Sequence, residues 1–547
     1  MKNETVMASI VAFTASFCIL VIELVAGRIM APYVGVSLYT WTSIIGVVLA
    51  GISLGAYLGG MLADRFPRQS TLGWLLFAAG LAAFTIAPLT DLAGSSEFLE
   101  GVTTLMVRIL ILTFLVFFVP ALLLGMISPV VIKLAVKNLE RTGHVVGKIS
   151  AFSTLGSILG TFSTGFFLIE AMGTRTILYS VGAILTLCAP VFGGLFSGRN
   201  GAAHRAVTLL FAMLLPGSLA LLWFCRDAVA RPLFLSENTF FYKESDYYTI
   251  TLHDGEHSQR GEEDQITLRS LVLDHLTHSY TDMNNPYYMH YGYLKVCQEL
   301  VAWRSSEDSE HRFLFIGGGG YTLPRYMDEK YPHAAIDVVE IDPWVTKVVE
   351  RYLDVQGRRI RSFNQDGRWF VRNCKTKYEF VFGDAFNDLS IPYHLTTREF
   401  NSLVKDVLAP DGLFIALVID NVQSGQFLPA YFSTLQSVFG EPNVRLVIPN
   451  YAEVEDNVDL DLEKVGTISC LLVASPHPLD LEHFQACLDS WKQKDGYEAH
   501  SRVVPVQQTE RYIAKRRGRT MVLTDNHVPV DNLIAPMFEE RFGYQRH

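Results

Sequence analysis

Paired cysteines are missing from this sequence. Its seven, Cys18, Cys188, Cys225, Cys297, Cys374, Cys470 and Cys487, are scattered and never form a C-x-x-C. That pattern speaks against a disulfide framework or a zinc site and reads as free thiols. A basic excess is missing too: Lys and Arg number 45 against 55 Asp and Glu, a net charge of -10, which gives no reason to expect nucleic acid as a partner. His275, His278 and His290 cluster in sequence but fall on different predicted elements without ligand spacing, so no metal is expected. Charge is also scarce before Trp223, where almost every long apolar run lies, although the mean hydropathy of the whole chain is only +0.24. At 547 residues the chain exceeds one compact core, and its two halves are chemically unlike.

The first half holds the apolar runs. About 20 such residues cross a bilayer, and about seven spans are read, at 6–27, 39–62, 71–92, 104–126, 149–169, 175–197 and 206–224. The first is too long for a signal-peptide core and has no small-residue cleavage site after it. Glycines recur in GISLGAYLGG and STLGSILGTFSTG, as suits close helix approach in lipid. Residues 1–228 are therefore expected to form a polytopic α-helical membrane domain in a cell membrane, with lipid as a partner. Basic loops follow the second, fourth and sixth spans and belong inside by the positive-inside rule. The N-terminus is then inside, and a seventh span carries the C-terminal half outside, whereas the supply of a cytosolic cofactor favours the cytoplasm. Glu23, near the end of an apolar helix, reads either as part of a polar pathway or as a structural partner of Arg28. Phe114, Phe117 and Phe118 read as packing and lipid contact. The run Lys515-Arg516-Arg517-Gly518-Arg519 reads as a solvated surface or a contact with anionic headgroups. The string GGMLADRFPR resembles the loop between the second and third helices of major-facilitator transporters, with Gly60, Asp64, Arg65 and Arg68 matching and Pro67 departing.

After Cys225 the pattern changes. YYTITLHD and QITLRSLVLD alternate with period two and read as paired strands, giving a small β-hairpin region over 229–300. The stretch YYMHYGYLKVCQELVAW reads as helical. From Arg312 onward FLFIG, IDVVEID, FVFGD and LFIALVI alternate with helical segments, the pattern of a doubly wound, mainly parallel Rossmann-like sheet over 301–547. The first strand runs into Gly317-Gly318-Gly319-Gly320, where the backbone can turn tightly and approach a ligand at a helix N-terminus. The second strand ends in Glu340-Ile341-Asp342, about twenty residues on, where an acid binds ribose hydroxyls. Thr322 stands where a dinucleotide fingerprint has its third glycine, so a nucleoside cofactor without a pyrophosphate fits better than NAD. Asp366-Gly367 follows a short strand, where a carboxylate can accept from an adenine amino group. Asp384 ends YEFVFGD at the carboxyl edge of the sheet. One strand-end Asp is often only a helix cap; four such features in this order point to adenosine binding.

Over residues 240–425 the chain resembles the spermidine synthases (polyamine aminopropyltransferases), and in detail their membrane-fused branch. The carrying strings are LVLDHLTHSY, LFIGGGGYTLPRY, IDVVEIDPWV and FGDAFNDLSIPYHLTTREF, with VLTDNHVPVDNL in the tail. The resemblance implies a methyltransferase-type α/β domain that transfers an aminopropyl group from decarboxylated S-adenosylmethionine to an amine such as putrescine. Glu340 would then hold the ribose, Asp366 the adenine, and Asp384 would be the catalytic acid–base residue. It also aligns Tyr248 and His278 with glutamines of the family, Tyr288 with the tyrosine after its acidic pair (here Asn284-Asn285), and Asp388 with the second aspartate beyond the fourth strand, all on the substrate side. Gly320 stands where the soluble enzymes carry an aspartate. A homodimer follows by resemblance alone. Two other readings stay open: a methyltransferase using S-adenosylmethionine itself, and a transporter or sensor that binds a nucleoside or polyamine without turnover.

Overall fold

The computed structural model describes residues 2–96, 102, 105–136, 142–193, 201–229, 231–232, 235–258, 265–385, 391–450, 466–495, 497–516 and 521–535. They divide into two compact units. The first comprises Met1–Glu237 with Tyr242–Thr249, and the second Asn238–Phe241 with Ile250–His547.

The first unit is built of long helices: α1 (Lys2–Val34), α2 (Leu38–Arg65), α3 (Gln69–Gly94), α4 (Leu105–Ala135), α5 (Thr142–Ser163), α6 (Thr174–Gly193) and α7 (Gly201–Phe224). Among the described residues, six helices, from Thr5–Val34 to Thr174–Gly193, are long and apolar enough to cross a bilayer. The seventh expected segment, 206–224, lies within α7, whose described apolar part is Leu214–Phe224. Packing pairs α2 with α4, α3 with α6 and α1 with α5. Small residues allow it: Gly55 faces the Leu122 carbonyl with no room for a Cβ.

At one end of these helices lies a buried polar group. Arg175 on α6 forms a bidentate pair with Asp91 on α3, with Nη1 to Oδ2 at 2.9 Å, and the Tyr33 hydroxyl of α1 donates to Asp91 Oδ1 at 2.8 Å. Such a pair is tolerable because each charge meets its opposite and the carboxylate's second lone pairs are used. The segment Tyr242–Thr249 belongs to the same unit: Glu244 accepts from Thr174 N at 2.6 Å, and Arg28 donates to the carbonyls of Ser245 and Asp246. Both terminal nitrogens of the Arg28 guanidinium are thus bonded to backbone carbonyls.

β1 (Thr239–Glu244), β2 (Thr249–Ser258), β3 (Gln265–Leu273) and β4 (Leu276–Asp282) make a sheet in sequential order, of which Thr239–Phe241 and the residues from Ile250 onward belong to the second unit. The two strands expected to pair do so antiparallel, with Ile250 opposite Leu273, so the region is a four-stranded sheet rather than a single hairpin. Asp274 turns β3 into β4 with φ 54°, the left-handed region that Asp tolerates.

The main sheet runs β12-β10-β11-β9-β8-β5-β6-β7. Its members are β5 (Arg312–Ile316), β6 (Ala335–Val339), β7 (Ile360–Phe363), β8 (Tyr378–Gly383), β9 (Leu408–Asn421), β10 (Val444–Pro449), β11 (Thr467–Ala474) and β12 (Ser501–Val503). β5 through β9 pair in parallel, and β10, β11 and β12 extend the sheet antiparallel. Between strands run α8 (Gly292–Arg304), α9 (Thr322–Lys330), α10 (Pro343–Tyr352), α11 (Gly367–Asn373), α12 (Arg398–Val407) and α13 (Phe427–Phe439). Helix α8 starts at Gly292, so the preceding tyrosine-rich residues of the expected helix are irregular. Aromatic rings tie the central strands together: Phe313 stacks on Phe380 at 5.2 Å and Phe315 on Phe382 at 4.6 Å. From β5 the chain moves outward through β6 and β7, then returns to place β8 on the other side of β5. The carboxyl ends of β5 and β8 therefore flank a topological switch point, where open α/β sheets bind ligands.

Candidate active site at the switch point

The glycine loop leaves β5 at this point. Gly317 takes φ 100°, and a side chain there would strike the Asp384 carbonyl, so only glycine lets the two strand ends lie side by side. Gly317 N donates to Val339 O at 2.9 Å and Asp384 N to Ile316 O at 3.0 Å, which fixes the ends of β5, β6 and β8 together. Gly318 N donates to Glu340 Oε2 at 2.9 Å. Gly319 also has positive φ, 49°, and Tyr321 opens α9 from φ 56°.

Glu340 is buried at the end of β6, and its second oxygen accepts from Asp342 N at 2.9 Å. Burial pushes its carboxyl above the usual range, and the backbone donors of Asp342 and Gly318 oppose this. A carboxylate has about four acceptor sites, so these backbone donors leave capacity for a further donor such as a hydroxyl. Asp342 is fully buried and caps α10 by accepting from Trp344 N at 2.8 Å, a structural duty. Asp366 caps α11 through Trp369 N at 2.8 Å, and its other oxygen lies 2.7 Å from His394 Nε2. Gly367 packs against Ile316.

Asp384 follows β8 at the cleft. The protein around it withdraws it from water and pushes it up to about 6, although part of its surface stays accessible. One oxygen accepts the Tyr293 hydroxyl of α8 at 3.0 Å, a bond that favours the ionised form. Burial raises the Tyr293 phenol, so it remains a donor at neutral pH. Beside Tyr293 the rings continue: Tyr291 stacks at 5.9 Å, Tyr280 lies 5.7 Å from Tyr291, and His290 lies 4.2 Å from Tyr280.

The structure brings Gly317, Gly318, Glu340 and Asp384 together directly and leaves the substrate-side expectations more scattered. Tyr288 meets His290 Nδ1 at 3.1 Å, at the outer end of the aromatic row. On β4 the register slips between Leu271 and Val272, with Leu271 opposite Ser279 and Val272 opposite Thr277, which leaves His278 as the extra residue. Ser279, the next residue, meets the glycine loop: its side chain occupies the space a Cβ on Gly320 would need. Tyr248 belongs to the first unit, where its N donates to Ser245 Oγ at 2.9 Å. Asp388 lies outside the described residues. Sequence reasoning missed Tyr293, which sat inside a run read only as helix, and His394, whose partner is remote in sequence.

Residues 300–451 match the spermine/spermidine synthase domain. A polyamine aminopropyltransferase of Vibrio vulnificus is 37% identical over 134 residues, 24% of this chain and 44% of that protein. An eEF1A lysine and N-terminal methyltransferase homolog of Drosophila melanogaster is 29% identical over 138 residues, 23% of this chain and 20% of that protein. The chain thus spans less than half the length of either relative. A probable spermidine synthase from Corynebacterium glutamicum superposes with a TM-score of 0.42 and 17% identity, over 52% of this chain and 96% of that one.

Proposed function

We propose, for a chain whose C-terminal part is a spermine/spermidine synthase domain, that it is a membrane-anchored polyamine aminopropyltransferase. The donor is decarboxylated S-adenosylmethionine and the acceptor an amine such as putrescine. The observation that carries the reading is Asp384: a desolvated carboxylate, raised to about 6, at the switch point beside the glycine loop and Glu340. Glu340 receives the ribose hydroxyls, and Asp366 the adenine amino group.

The acceptor amine, with a pKa of about 10, arrives mostly protonated at neutral pH. Asp384 takes a proton from it, the freed lone pair attacks the carbon next to the sulfonium, and that carbon–sulfur bond breaks toward sulfur. The products are the alkylated amine, neutral methylthioadenosine and one proton released through Asp384. A raised pKa makes the carboxylate a better base than an ordinary one while leaving it ionised at pH 7. The row Tyr293, Tyr291, Tyr280 suits a cationic chain, since aromatic faces attract ammonium groups.

One observation favours a second reading, transfer from S-adenosylmethionine itself: Gly320, packed under Ser279, provides no carboxylate to meet a donor amine. Product analysis separates the two. Detergent-purified protein given a diamine and each donor in turn should release methylthioadenosine only with the decarboxylated donor. Release of S-adenosylhomocysteine from the intact donor overturns the first reading in favour of the second.

For the rest of the chain the proposal is a multi-pass anchor formed by the apolar helices, contacting lipid. The catalytic part faces the cytoplasm, where adenosyl donors are made, and the protein is a homodimer.

A further inference from the structure

Residues 521–535 form a strap on the second unit. Leu523 and Ile534 are buried, and the backbone is tied at three places: Arg398 N to Leu523 O at 2.7 Å, Leu523 N to Thr434 Oγ1 at 2.9 Å, and Gln426 N to Leu533 O at 3.1 Å. Within the strap Thr524 and His527 exchange backbone bonds of 3.0 and 2.9 Å, closing a tight turn that carries Asp525. Asp525 N is held in turn by Glu399 Oε2 at 3.0 Å.

The Asp525 carboxylate receives the Arg368 guanidinium in two parallel bonds, 2.7 and 2.5 Å long. Arg368 Nη1 also donates to the His394 carbonyl at 3.2 Å and to Thr397 Oγ1 at 3.4 Å. The His394 ring then reaches Asp366 Oδ2 at 2.7 Å. A single path therefore runs from the strap to the strand-end carboxylate: Asp525, Arg368, the His394 turn, Asp366.

An exposed ion pair taken alone adds little stability. What this one adds is direction, because a guanidinium fork accepted by both carboxylate oxygens has one orientation. Asp366 spends Oδ1 on the cap of α11, so the rotation of its carboxylate is fixed by whatever holds Oδ2, and that is His394.

We propose that Asp525, acting through Arg368 and the His394 turn, is a positioning residue for Asp366, so that the C-terminal strap is part of the nucleoside site. The inference rests on the proposed nucleoside-binding role of the cleft. It assigns the tail string VLTDNHVPVDNL a task in ligand binding.

The test is calorimetric binding of methylthioadenosine to the full-length detergent-purified protein. Wild type, Asp525→Asn, Asp366→Asn and the double variant are compared. Each single change should weaken binding about tenfold, and the double should bind no worse than Asp366→Asn alone, since coupled sites are non-additive. In turnover the donor KM of Asp525→Asn should rise while kcat holds. If Asp525→Asn does not fold, Arg368→Lys keeps the charge, removes the fork and should give the same non-additive loss. Unchanged affinity in the folded variant, or losses that simply add, overturn the proposal. A wild type that binds no nucleoside overturns the reading of the cleft and this inference with it.

Discussion

The hydroxyl of Tyr293 donates to Asp384 Oδ2 at 3.0 Å, joining residues 91 positions apart in the chain. One belongs to the helix that precedes the Rossmann-like sheet and the other to the end of its fourth strand. The bond leaves the other carboxylate oxygen to take a proton.

Asp384→Asn should keep nucleoside binding and lose turnover by a factor of about 10²–10⁴, the usual contribution of a positioned base. Methylthioadenosine affinity and product formation, measured on the same preparation, check this. Parallel loss of both would mean that the residue shapes the site rather than acting in it.

The acid limb of the rate profile should fall near pH 6 for the wild type, because Asp384 works only when ionised and titrates at about 6. Below that pH the rate should drop tenfold per unit. The Tyr293 hydroxyl lowers this value by bonding the ionised form. Tyr293→Phe should therefore move the limb to higher pH and cost about tenfold in kcat at pH 7, a loss of about 1.4 kcal/mol. A limb that stays in place would show that Asp384 is not the group being titrated.

Gly320→Ala should destabilise the protein by about 1–3 kcal/mol, the ordinary cost of overpacking, because Ser279 already fills the space. Ser279→Gly should restore most of the loss. Thermal midpoints of the single and double variants measure it. Equal destabilisation in both backgrounds would mean that the strain has another source.

Arg175→Met should be severe, about 3–5 kcal/mol, since it leaves Asp91 charged and buried without its partner. Replacing both, as Asp91→Leu with Arg175→Met, should recover much of the loss. Retention of folded protein through detergent size-exclusion after heating is the readout.

Cys225, exposed at the end of α7, reports on sidedness. In a variant where it is the only cysteine, a membrane-impermeant maleimide should label it only after the cells are opened. Labelling in intact cells would put the catalytic part outside.

The β5–glycine loop–β6 unit was legible because its parts are close in sequence: an apolar strand, four glycines and an acid about twenty residues on all bear on one turn. The apolar helices were legible for a similar reason, since length and composition are local properties. Tyr293 was not, because nothing in a tyrosine-rich run says which ring will face a strand end 91 residues later. Nor was the strap, whose Asp525 meets Arg368 across 157 positions. The antiparallel direction of β10, β11 and β12 was likewise not legible, because an apolar run carries no sign of which way its strand will lie. Asp342 and Asp366 both cap the helices that follow them, a duty that the strand-end position alone does not reveal.

The buried pair at Asp91 and Arg175 has a consequence for biogenesis. The ribosome delivers Asp91 with the third helix and Arg175 only with the sixth, 84 residues later. In the anchor proposed above, a nascent chain between those moments carries a carboxylate near the end of its third helix without the guanidinium that neutralises it in the finished fold. In that anchor the pairing of Asp91 waits for the sixth helix, so a stop between the two would leave an intermediate marked by its unpaired charge.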